Sequence, residues 1–109
     1  MKTPIHTVAD LGKLIRATRH THGLRLDDVA GSAKLGTVFV GDVEHGKASV
    51  QLGRVLQLLD ELGIRLEADV PDAVLPAFEK LRESGIKPRK PRKAPGVRKA
   101  TQQVEEGDA

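Results

Sequence analysis

An all-α fold is predicted by three observations. Apolar residues recur at three- and four-residue spacing in successive short segments before Gly63. Glycines 23, 46 and 63 stand where those segments would stop. Between Gly23 and Lys47, two short helical patterns flank a tight turn, the arrangement of a helix-turn-helix. That motif makes double-stranded DNA the first partner to consider.

The first helix opens at Thr7-Val8-Ala9-Asp10, a capping box in its Thr-x-x-Asp form, and runs to about His22. Val8, Leu11, Ile15 and Thr18 are expected to face inward, with Lys13, Arg16 and Arg19 outward. In the leading helix of the motif, Leu26, Val29 and Ala30 recur at helical spacing, and Ala30 is small where two helices would cross closely. The second helix buries Val40 and Val43 and ends at Glu44-His45-Gly46-Lys47. Ser49 is the expected N-cap of a fourth helix to about Leu62, with Leu52, Val55, Leu56, Leu59 and Leu62 as its core stripe.

Residues 64–70 alternate apolar and polar with period two, the one strand-like segment in the chain. A lone strand cannot satisfy its own backbone, and no second candidate exists. The economical partner is the same segment of a second copy, paired across a homodimer axis, with Ile64, Leu66 and Ala68 as the dimerisation residues. Pro71 and Asp72 then start an amphipathic segment to about Ser84, with Val74, Phe78 and Leu81 on one face and Gly85 as its stop. That face either packs on its own domain or dimer mate, or docks another protein. The organisation expected is a domain over 1–70, an added helix over 71–84, and a flexible, disordered tail over 85–109.

Charge is distributed unevenly. Residues 1–84 carry eleven basic and twelve acidic side chains, 85–100 seven basic and none acidic, and 101–109 three acidic and none basic. The whole excess behind the net charge of +3 therefore sits in the tail. Such a tail suits DNA phosphates or a minor groove, or an acidic partner surface on which it folds, or simply solubility.

Several function classes are disfavoured. The absence of cysteine excludes disulfides and thiolate metal sites. His6, His20, His22 and His45 lack ligand spacing, so no metal is expected. Asp27-Asp28 is accounted for by a helix start rather than by acid–base chemistry. With no local nucleophile signature and no phosphate-binding glycine loop, neither an enzyme nor a cofactor is expected. Two Phe without Trp or Tyr disfavours stacking on single strands. No signal-peptide core is seen and no apolar run approaches the roughly 18 residues of a membrane span, so a soluble, cytoplasmic protein with no membrane partner is expected.

From about Leu11 to Val70, through GLRLDDVA, FVGDVEHGK and LGRVLQLLDELGIRLE, the chain resembles the Cro/repressor (XRE) class of helix-turn-helix proteins. More narrowly it resembles the HipB-type antitoxins that partner HipA-like serine/threonine kinase toxins, in which a leucine-rich helix runs into a strand. The resemblance implies a lambda-repressor-like bundle, a homodimer on a palindromic operator in its own promoter, and association with a kinase toxin. Two alternatives are a regulator of the same class with no toxin partner and a protein-interaction module with weakened operator binding. Carried over by position, the recognition helix is Thr37 to Glu44, with Thr37, Val38, Gly41 and Asp42 toward the bases and Phe39, Val40 and Val43 toward the protein. Relatives often carry Arg, Gln or Ser where this chain has Thr37 and Val38, and Gln where it has Leu26. Direct hydrogen-bond readout is correspondingly thin, although Thr and Val can pack on thymine methyl groups. Asp42 either accepts from a cytosine amino group or orients its neighbours. Arg25, the Leu26 amide, His45 and Lys47 are the implied phosphate contacts, so that DNA would associate the protein with the nucleoid. Arg19 and Glu44 match a structural salt bridge of the class, and Lys34 stands at a turn position that is generally glycine.

Overall fold

In a computed structural model, described here for residues 1–89, five α-helices follow one another: α1 (Val8–Thr21), α2 (Leu26–Ala33), α3 (Thr37–Glu44), α4 (Leu52–Glu61) and α5 (Leu75–Ser84). A 3₁₀ turn, Asp72–Val74, precedes α5, and no strand occurs among the described residues. The chain divides into two units, Met1–Ala68 and a second beginning at Asp69.

The first unit is all-helical and closes around one core. Ile15 of α1, Val29 and Ala30 of α2, Val40 and Val43 of α3, and Val55, Leu58, Leu59 and Leu62 in and after α4 form its buried cluster. Leu11, Leu26, Leu35, Phe39, Val50 and Ile64 pack against it, half-buried. The helices touch in the order α1 on α3, α3 on α2, and α2 on α4.

Thr7 caps α1, its Oγ1 accepting from the Asp10 amide at 3.0 Å. The return bond of the box comes from the His6 amide to Asp10 (3.3 Å), one residue before the position expected. Val8 is exposed rather than inward, because it sits in a first turn that the neighbouring helices leave open. Arg19 is buried rather than outward. Standing four residues after Ile15, it lies on the same stripe of α1, and its charge is neutralised there by Glu44.

The fourth helix also departs from expectation. It begins at Leu52, with Gln51 in the extended N-cap conformation and its carbonyl receiving the amides of Arg54 and Val55. Ser49 lies in the preceding turn. The buried stripe centres on Val55, Leu58, Leu59 and Leu62, which leaves Leu52 and Leu56 rotated to its flank and exposed. Leu58, absent from the expected stripe, is fully buried.

The turn between α2 and α3 is closed by Lys34, the one non-glycine residue at positive φ among those described (φ 60°, ψ 43°). The Leu35 amide bonds back to the Ala30 carbonyl at 2.8 Å, and Gln57 of α4 donates to the Ala33 carbonyl at 2.6 Å. The end of α2 is thereby fastened to α4.

Residues 64–70 form neither helix nor strand in the single chain. In the second unit, the 3₁₀ turn leads directly into α5, whose Val74, Phe78 and Leu81 are about half exposed. The Arg82 guanidinium lies 4.9 Å from the centre of the Phe78 ring. Most of the basic run and the acidic end, from Lys90 onward, lie outside the described residues.

Candidate nucleic-acid interface

The outward face of α3 is built by its inward one. Val40 and Val43 are buried, Phe39 half-buried, and Glu44 is 6% exposed, so one long side of an eight-residue helix is anchored. The 3.6-residue period then places Thr37, Val38, Gly41, Asp42 and His45 on the opposite side. Thr37 and Val38 are exposed, Val38 at 77%, while Gly41 and Asp42 are partly covered.

Two devices hold this helix at a fixed attitude. Arg19 Nε and Nη2 donate to Glu44 Oε2 and Oε1 at 2.7 and 2.9 Å, a fork-to-fork pair linking α1 to the last turn of α3. Hydrogen bonding to Glu44 raises the pKa of the Arg19 guanidinium. Its Nη1 donates to the Leu24 carbonyl at 3.0 Å, fastening the loop between α1 and α2. The second device is Gly12. A Cβ there would lie 2.7 Å from the Glu44 carbonyl oxygen and also overlap that of Val43, so α1 and the end of α3 approach backbone to backbone.

The polar groups near the outward face are largely engaged. Lys47 Nζ stands 3.5 Å from Asp42 Oδ2, and the Lys47 amide donates to the Asp42 carbonyl. His45 Nδ1 is 2.8 Å from the Gly41 carbonyl, so this nitrogen carries the proton and Nε2 points elsewhere as the adaptable atom. Arg25 Nε pairs with Asp27 Oδ1 at 3.3 Å, and its amide donates to Asp28. The charge of Arg25 is therefore partly offset at home. Leu26 is half-buried; its Cδ2 lies 3.8 Å from where a Cβ on Gly41 would be, so it supports α3 from beneath.

Thr37, Val38, Gly41, Asp42, His45 and Lys47 thus belong to one helix and its immediate end, with Arg25 and Leu26 at the start of α2. No group of three or more potential metal-ligating side chains occurs among the described residues. No described helix is long and apolar enough to cross a membrane.

A curated protein of Sinorhizobium fredii (strain NBRC 101917 / NGR234), the uncharacterized HTH-type transcriptional regulator y4mF, is 42% identical over 71 residues, spanning 65% of this chain and 93% of that protein. The chain belongs to the HTH-type transcriptional regulators. No protein-family model matches it. Among solved structures, a chain of the HipA-HipB-O2-O3 complex superposes with a TM-score of 0.60 at 13% identity, over 63% of this chain and 97% of that one. A chain of the HipB-O4 20mer complex gives 0.59 at the same identity, with the same shares covered. At this identity the likeness is one of fold: the first unit of this regulator shares the helix-turn-helix bundle of those chains.

Three residues that fasten the helices of the bundle were missed by periodicity: Gly12, Gln57 and Leu58. The first two act through backbone proximity and through one long-range hydrogen bond, which leave no periodic trace. Leu58 could have been found by centring the stripe of α4 on Val55 and Leu59 rather than on Leu52 and Leu56.

Proposed function

We propose that this regulator is a dimeric, cytoplasmic autorepressor and antitoxin that binds a palindromic operator in its own promoter and associates with a HipA-like serine/threonine kinase. The observation that carries the DNA-binding part is the anchored α3 with Thr37 and Val38 outward, in a chain of this regulator family. Lys47, His45 and Arg25 supply phosphate contacts beside it, and Asp42 keeps Lys47 in place. The antitoxin part is supported by fold likeness to a chain of a HipA-HipB complex.

Dimerisation through residues 64–70 is supported by the surface around them. Leu56, Leu59, Asp60, Ile64, Arg65 and Leu66 line an open hollow of about 300 Å³. Leu66 is 57% exposed there, and Ile64 and Ala68 share its alternate positions. Pairing this segment with its copy would satisfy its backbone and cover the exposed leucines. The reading is tested by three measurements on the full chain. Sedimentation should give a dimer for the wild type and a monomer for Leu66→Asp. A gel shift on the DNA upstream of its own gene should show binding that Val38→Asp abolishes at unchanged melting temperature. Purification from the native host should recover a stoichiometric kinase. DNA binding with no kinase recovered would favour a regulator without a toxin, and dimers without DNA binding an interaction module.

A further inference from the structure

We infer that α3 reads thymine 5-methyl groups in the major groove, with Val38 as the specificity-determining side chain. This rests on the DNA-binding reading above. Hydrogen-bond readout needs free donors and acceptors on the outward face, and α3 has few. Asp42 is paired with Lys47, His45 Nδ1 donates to the Gly41 carbonyl, and Glu44 is buried on Arg19.

Two outward residues have no structural reason to be what they are. Val38 is 77% exposed, so it adds nothing to the core, and a β-branched residue is a mediocre helix former. Gly41 has ordinary helical backbone, and a methyl group there would meet only Leu26 Cδ2 at a comfortable 3.8 Å. Alanine would fit and strengthen the helix. Glycine at this position gains the fold nothing, yet it clears the surface beside Val38 so that the helix can seat deeply. An apolar knob next to a bare backbone matches an apolar object on the groove floor. Of the four bases, only thymine presents one there, its C5 methyl group. The methyl of Thr37 extends the same surface.

The test uses the full-length protein and duplexes it enriches from a random library, with affinity read by fluorescence anisotropy. Thymines of the enriched core are replaced singly by uracil, which removes the methyl and leaves every hydrogen-bonding atom. Each thymine under Val38 should then cost about fourfold in affinity, the equivalent of one buried methyl group. Val38→Ala should bind the two duplexes equally, and Gly41→Ala should melt higher while binding more weakly. If the wild type binds uracil and thymine duplexes alike, or Val38→Ala keeps the full uracil penalty, methyl reading by Val38 is overturned and DNA binding stands. If no duplex is enriched, the DNA-binding reading itself fails.

Discussion

Lys34 holds a backbone conformation that a side chain makes expensive. At φ 60° and ψ 43° its Cβ crowds the adjacent carbonyl, and glycine would relieve it. Lys34→Gly is expected to stabilise the fold by about 1 kcal/mol, seen as a higher melting temperature. Gly12 is the opposite case. Any Cβ there meets the carbonyls of Val43 and Glu44, which are backbone atoms at the end of α3 and have little room to move. Gly12→Ala should cost about 3 kcal/mol in urea denaturation. Of these two positions, only Lys34 stood out in the sequence, and only against the class in which that turn residue is glycine. The close approach at Gly12 brings together positions more than thirty residues apart, and nothing in local pattern records it.

Helices α1 and α3 are joined by a charged pair inside an apolar neighbourhood, which makes the pair costly to halve. Arg19 is 8% exposed and Glu44 less, and each satisfies the other through two hydrogen bonds. Removing one partner strands a charge away from water, so Glu44→Leu alone should lose about 3 kcal/mol. Arg19→Met with Glu44→Leu should recover much of that loss, since an apolar pair needs no compensation. A double-mutant cycle from denaturation midpoints checks this, with coupling near zero as the contrary result. The span of α1 was readable from its cap, its closing glycine and its apolar spacing, which are local properties, whereas the bounds of α3 came from the resemblance to its class. The burial of Arg19 was not readable from its charge. Polarity alone sends arginine outward, and only its spacing from Ile15 and the match to Glu44 bring it in. In α4 the spacing of leucines is ambiguous, with six apolar positions in eleven residues, and packing against α2 decides which of them turn inward.

The molecule separates shape from charge along its length. Through Ser84 the chain is one charge short of neutral, and two cations near α3 already have carboxylate partners: Lys47 with Asp42, and Arg25 with Asp27. Such a body can present a recognition surface, but it offers little long-range attraction to a polyanion. The seven Lys and Arg of residues 85–100 can supply it, since each phosphate neutralised releases counterions whatever the conformation of the segment that carries the charge. This division predicts distinct effects on one binding curve. Truncation after Ser84 should flatten the dependence of log K on log salt by roughly 0.9 for every phosphate that the shortened chain no longer neutralises. Preference among duplexes at a fixed salt concentration should survive, because α3 is untouched. Val38→Ala should do the reverse, leaving the slope and eroding the preference. Titrations of both variants against an enriched and a scrambled duplex at four salt concentrations separate the two contributions. A truncated chain with the full slope would place the phosphate contacts on the folded body, on Lys47, Arg25 and the helix termini, and leave the tail without a part in DNA binding.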